Sequence, residues 1–110
     1  MNFNEYQDLA ARTINPELSN EDAINHSLHG MVGELGELHS IFQKKYQGHE
    51  EDIIHKKKEL GDLLWFIAEF CTANCWDMND IAEMNISKLR ARYPDGFEEI
   101  NSLHRAEGDI

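Results

Sequence analysis

Basic residues are scarce in this chain: 10 Lys and Arg stand against 21 Asp and Glu, a formal charge of −11 over 110 residues. An acid excess of this size repels nucleic-acid backbone and anionic lipid. Neither is expected as a partner, and any phosphate ligand must be met by a local basic patch or by metal ions. Cysteine is sparse too. Cys71 and Cys75 are the only two, one helical turn apart in an apolar run, which suits buried free thiols better than a disulfide framework or a redox Cys-x-x-Cys. Long apolar runs are missing: the longest, residues 63–68, is far too short to cross a bilayer, and the opening MNFNEYQDLA lacks the basic start and apolar core of a signal peptide. A cytoplasmic location follows as the expectation. β-Branched alternation, a Gly-rich phosphate loop, a serine-nucleophile motif and a helix-turn-helix signature are all absent. His26 and His29 share a helix face, but the six histidines complete no zinc set.

What is present is helical. The 41% hydrophobic content supports one modest core, so residues 1–110 are expected to form a single domain with its core over about 3–97 and a short C-terminal extension. The two prolines, Pro16 and Pro94, sit where helices should be interrupted. Phe3, Tyr6, Ala10 and Thr13 line a first segment at helical spacing, and Leu28, Met31, Val32, Leu35, Leu38 and Phe42 line a second. Ser19, Asn20, Glu21 and Asp22 read as the start of that second helix and Gly48 as its end. A third helix is predicted over about 52–75 and a fourth from 78 or 79 to about 92, where Tyr93, Pro94, Asp95 and Gly96 form a turn. The fold class is therefore all-α, an antiparallel four-helix bundle. In the third helix residues 63–68 are apolar on every side, the mark of a helix buried all round. A domain this small can hardly bury it alone, so a homodimer or homotetramer is expected.

Four carboxylates stand out by spacing: Glu34 and Glu37 in GELGEL, and Glu59 and Asp62 in ELGD. Three residues apart on a helix, the members of each pair project from one face, roughly 60° apart. A solvated acidic face is the ordinary meaning of such residues. Against it, Asp62 lies one turn before Phe66 and Glu59 one turn before Leu63, so both continue an apolar surface. Gly33, Gly36 and Gly61 adjoin these acids in mid-helix, where a glycine costs about 1 kcal/mol relative to alanine, a cost that makes sense if two backbones approach closely there. Four converging carboxylates would repel one another unless divalent cations were bound, and oxygen-only ligands favour Mg²⁺ or Mn²⁺. A di-iron bundle would need Glu-x-x-His. No His stands three residues after Glu34 or Glu59, while Asp52 and His55 have that spacing at a helix start without a counterpart.

On the fourth helix Asn85, Lys88 and Arg92 fall at i, i+3 and i+7, so one amide and two cations share a stripe beside the apolar Ala82, Ile86, Leu89 and Tyr93. Standing alone, this is a solvated polar face. Next to an acid-and-metal site it is what an anionic triphosphate needs. Lys44 and Lys45 could add to it, while Lys56, Lys57 and Lys58 read as a charge run in solvent. Trp65 and Phe66 read as core rather than as base-stacking residues.

The ordered set Glu34-x-x-Glu37, Glu59-x-x-Asp62 and Asn85-x-x-Lys88-x-x-x-Arg92 resembles the MazG-like family of all-α nucleoside triphosphate pyrophosphohydrolases. The wording around it agrees, from Gly33-Glu34-Leu35-Gly36-Glu37-Leu38 through Glu59-Leu60-Gly61-Asp62 to the stretch 88–97. The resemblance implies Mg²⁺-dependent hydrolysis between the α and β phosphates of a nucleoside triphosphate, giving a monophosphate and pyrophosphate. It implies that Glu34, Glu37, Glu59 and Asp62 hold the metal, one of them also orienting or deprotonating the attacking water. Lys88 and Arg92, with Lys44 as an addition, would hold the phosphate chain, and Asn85 would help to place it. Family members commonly assemble as dimers or dimers of dimers. The chain departs from the family where relatives carry a Glu just before the first acid, here Gly33, and at His29 and His39. Two other readings stand beside this one: a helical module that binds metal or nucleotide without turnover, and a phosphoribosyl-ATP pyrophosphohydrolase.

Overall fold

The four longer helices of the chain begin where a side chain can take up free backbone N–H groups that a helix start leaves over. The computed structural model describes residues 1–110 and contains five helices and no strand: α1 Phe3–Ala11, α2 Asn20–Lys45, α3 Ile53–Ala73, α4 Met78–Arg92 and the short α5 Glu99–Leu103. Asn2 accepts from the amide of Glu5 at 2.8 Å, Ser19 from that of Asp22 at 3.1 Å, and Asp52 from that of His55 at 3.0 Å. The ends expected for α2, α3 and α4 lie within about three residues of those observed. Gly48 turns the chain after α2 with a φ of 89°, and Gly96 closes the turn after α4 with a φ of 90°, its amide donating to Tyr93 O at 3.2 Å. No helix is long and apolar enough to cross a membrane.

The start of α4 is capped from another helix. Asp77 makes no side-chain cap; instead Gln7 Oε1 accepts from the amide of Met78 at 2.8 Å and Asn4 Oδ1 from that of Asn79 at 3.1 Å. The amide nitrogen of buried Gln7 also donates to Trp76 O at 2.7 Å and Thr72 Oγ1 at 3.2 Å. One side chain of α1 thus ties the end of α3 to the start of α4. Around it sits the core, Ala10, Ala68, Cys71 and Met78, with Tyr6, Leu64, Trp65 and Ile67 packed against it. Cys71 is buried as expected. Cys75 is not: it lies past the end of α3, exposed, with a φ of 60°.

α2 and α3 form the main helix pair and run antiparallel, α1 lies on α3, and α4 is held by α1. The α2–α3 seam differs from the apolar stripe read in the sequence. α2 turns Ala23, Ser27, Gly30 and Glu34 to α3, residues at i, i+4, i+7 and i+11, and α3 answers with Glu59, Asp62, Phe66 and Glu69. Leu28, Val32, Leu35 and Phe42 are left exposed, Val32 to 74%. The close approach of backbones also lies elsewhere than expected. A side chain built on Gly33, Gly36 or Gly61 would meet nothing within 4 Å, whereas one on Gly30 would overlap the Phe66 ring. Gly30 lies on the seam; the other three are exposed.

The single chain is open. Its radius of gyration is 17.4 Å, against about 13 Å for a compact domain of this length. Only nine of its 110 residues are buried. The run 63–67, expected to be covered on all sides, is only half-buried.

Candidate metal and polyphosphate site

Glu34 reaches the seam from α2, and Glu59 and Asp62 reach it from α3. One carboxylate oxygen from each lies within 4.8 Å of the others. Opposite ligands of one hard, oxygen-bound cation stand about 4–5 Å apart, so small side-chain adjustments would let these three share an ion. Their electrostatics agree with that fit. Glu34 is pushed up to about 7 from 4.5, first by a hydrogen bond with Glu59, then by burial and by the negative charges of Glu59, Asp62 and Glu37. Two carboxyl groups that share a proton in this way occupy a place where a cation would be favoured instead. Hard oxygen donors without sulfur or a completed histidine set match Mg²⁺ or Mn²⁺.

The surroundings come from three elements. His55, one turn before Glu59, brings Nε2 to 3.1 Å from Glu59 Oε1, a neighbour that the sequence showed only as an unpaired Asp52-x-x-His55. Tyr6 of α1 has its phenol pushed up, mainly by burial and also by the negative charge of Asp62, which sets α1 at the edge of the cluster. Further along the seam His26 Nδ1 lies 2.7 Å from Oε1 of buried Glu69, whose Oε2 has no partner. Glu69 follows Asp62 by seven residues, so it continues the acid stripe of α3. The apolar run around it hid that continuation.

The other expected site residues lie elsewhere. Glu37 is exposed and outside the group of three, acting on Glu34 through charge alone. Lys44 is ten residues beyond Glu34, about 15 Å along α2, and exposed. Asn85 borders an apolar groove between α1, α3 and α4. Lys88 and Arg92 line a different groove, against residues 101–109. Arg92 is occupied there by Asp109, with Nε to Oδ2 and Nη2 to Oδ1 both at 2.8 Å. A single chain therefore does not bring the cationic stripe against the acids. Lys56 is a further correction, since it is half-buried, 2.6 Å from Glu51 Oε1 and 4.1 Å above the Phe42 ring. Trp65 donates to Thr13 Oγ1 at 2.8 Å and Phe66 fills the space over Gly30.

A long antiparallel helix pair with three acids converging across it defines an all-helical protein with an acid cluster on its main seam. Residues 23–97 match the MazG nucleotide pyrophosphohydrolase domain, which takes in the acids and the cationic stripe, and the chain belongs to that family. No curated protein and no solved structure matches it.

Proposed function

We propose that the chain hydrolyses a nucleoside triphosphate between its α and β phosphates, releasing a nucleoside monophosphate and pyrophosphate, with Mg²⁺ or Mn²⁺ bound at Glu34, Glu59 and Asp62. The observation that carries this reading is the convergence of those three carboxylates across the α2–α3 seam, within a family of nucleotide pyrophosphohydrolases. A divalent cation there would offset the acid cluster and the substrate's charge and make water a better nucleophile. The side chains do the rest. Glu34 and Glu59, sharing a proton when no cation is bound, are suited to take a proton from the attacking water. Glu37, one turn beyond Glu34 on α2 and felt by it through charge, would join as a further ligand after a rotamer change. Lys88 and Arg92 hold the phosphate chain, Asn85 helps to place it, and Lys44 adds positive charge.

Because one chain keeps the acids and these cations on separate surfaces, the reading includes a homodimer or homotetramer. Its support is the open shape of the chain and the uncovered apolar face of α2, Leu28, Val32, Leu35 and Phe42. The test is product analysis on a panel of ordinary, deoxy and damaged nucleoside triphosphates with Mg²⁺. Monophosphate and pyrophosphate are expected, with activity abolished by excess chelator. Release of diphosphate and free phosphate, or full turnover in chelator, would overturn the reading.

A further inference from the structure

Asp109 does to Arg92 what a phosphate group would do. Two parallel N–H to oxygen bonds of 2.8 Å join the guanidinium to the carboxylate, the fork geometry by which arginine binds carboxylates and phosphates alike. Both side chains are largely withdrawn from water, 9% and 14% exposed. The carboxylate also lies in the field of two more cations, Arg105 and Lys88, which together with Arg92 hold it below the usual range. In a chain with only ten basic residues, three act on one carboxylate. The groove they line has a volume of about 460 Å³ and also takes in His104 and Asn101, a size common for small-molecule sites.

The segment that delivers Asp109 is shaped for the purpose. After α5 the chain turns back, with the amide of Asp109 donating to Ala106 O at 3.1 Å and Gly108 at a φ of 85°, a backbone state that glycine adopts without strain. Residues 98–110 lie outside the stretch 23–97 that matches the family, while Lys88 and Arg92 lie within it.

We propose that residues 104–109 form a displaceable plug on an anion seat built by Lys88, Arg92 and Arg105: the Asp109 carboxylate holds the place of a substrate phosphate, and Arg105 becomes a third phosphate-holding cation once Asp109 leaves. The proposal rests on the reading that Lys88 and Arg92 receive the polyphosphate. Asp109 is tethered 17 residues from Arg92, and a short flexible tether gives an effective concentration in the millimolar range. A lone carboxylate at that level excludes weak single-charge anions, while a triphosphate brings several charges to the same three cations and displaces it. The plug thus favours polyphosphates over monophosphate product. Apparent affinity falls by the fraction of molecules with the seat open.

The probe is inorganic tripolyphosphate, titrated calorimetrically into the full chain without divalent metal. Asp109→Asn keeps the side-chain shape and removes the charge. If about nine molecules in ten are plugged, it binds tripolyphosphate about tenfold more tightly, and Asp109→Glu restores the weaker binding. Adding Arg105→Gln to Asp109→Asn removes much of the gain. In turnover assays Asp109→Asn lowers KM for the nucleotide while kcat holds. Unchanged or weaker tripolyphosphate binding by a folded Asp109→Asn chain overturns the plug and leaves a structural ion pair. Should the variant not fold, hydrogen exchange on the unaltered chain decides: saturating tripolyphosphate must speed exchange of the Asp109 amide, and an unchanged rate overturns the proposal. Tighter binding in a chain that releases no pyrophosphate from any nucleotide would sink the proposed activity but not the plug. Pyrophosphate release with no change in either binding or exchange would do the reverse.

Discussion

Asp62 and Glu34 face each other across the α2–α3 seam, and the energetics of the site turn on their charges. In Asp62→Asn one like charge is removed from the cluster, so metal-free stability should hold or rise. With Mg²⁺ present an anionic ligand is missing, and turnover should fall by at least ~10²-fold. Thermal melts with and without Mg²⁺, beside pyrophosphate release, check both; normal turnover would remove Asp62 from the site. Glu34 adds a pH dependence. Its pKa is raised from 4.5 to about 7, so the folded chain holds this proton more tightly than the unfolded one. That stabilisation is complete below about pH 4.5 and is lost as pH rises through about 7. Asp109 and Glu51 are shifted downward, so their contributions are present above the usual carboxylate range and are lost only at lower pH. The metal-free melting temperature should therefore drop between about pH 5 and 7.5. Mg²⁺ should flatten the drop and Glu34→Gln should remove Glu34's part of it; an identical slope in that variant would contradict the assignment.

At the scale of helices, the glycines separate close packing from mere flexibility. Gly30 meets the Phe66 ring, so Gly30→Ala must push α2 and α3 apart or turn the ring, at a cost of about 1–3 kcal/mol typical of overpacking. Gly36 is helical, exposed and free of neighbours within 4 Å. Gly36→Ala should stabilise the chain by about 0.4–1 kcal/mol through the unfolded state. Denaturant melts read both. Were the signs reversed, the backbones would approach at GELGEL after all. The sequence contained the seam residues but did not distinguish them, because both α2 and α3 carry glycines and acids on more than one side. The helix starts were legible for a simpler reason: Ser19 and Asp52 act on amides three residues away, and such local bonds need no tertiary partner. The start of α4 was legible only as a position, since its cap acceptors come from Asn4 and Gln7 of α1.

The whole molecule is an open assembly of helices rather than a closed one, and its exposed apolar face sets the last prediction. Val32, 74% exposed in one chain, would tolerate Val32→Glu within about ±0.5 kcal/mol if that face stayed in water. If it packs against another subunit, the substitution should shift the molecular mass measured by sedimentation toward the monomer and reduce turnover together. An unaltered mass would locate the subunit contact elsewhere, and a monomeric unaltered chain of full helicity would end the oligomer reading.

Local rules were enough for the all-helical class, the ranges of α2, α3 and α4, the turn at 93–96 and the candidacy of Glu34, Glu59 and Asp62. Caps, periodicity and i, i+3 spacing act within a few residues, so they are written in order along the chain. Which acids meet was decided by how α2 rotates against α3. That rotation is set by Gly30 receiving Phe66, and it brings Glu34 to Glu59 and Asp62 while leaving Glu37 outside. The same holds for the burial of Glu69 against His26 and for the closure of Asp109 on Arg92, pairs 43 and 17 residues apart. Contacts across such distances depend on the path of the whole backbone, which no local spacing encodes.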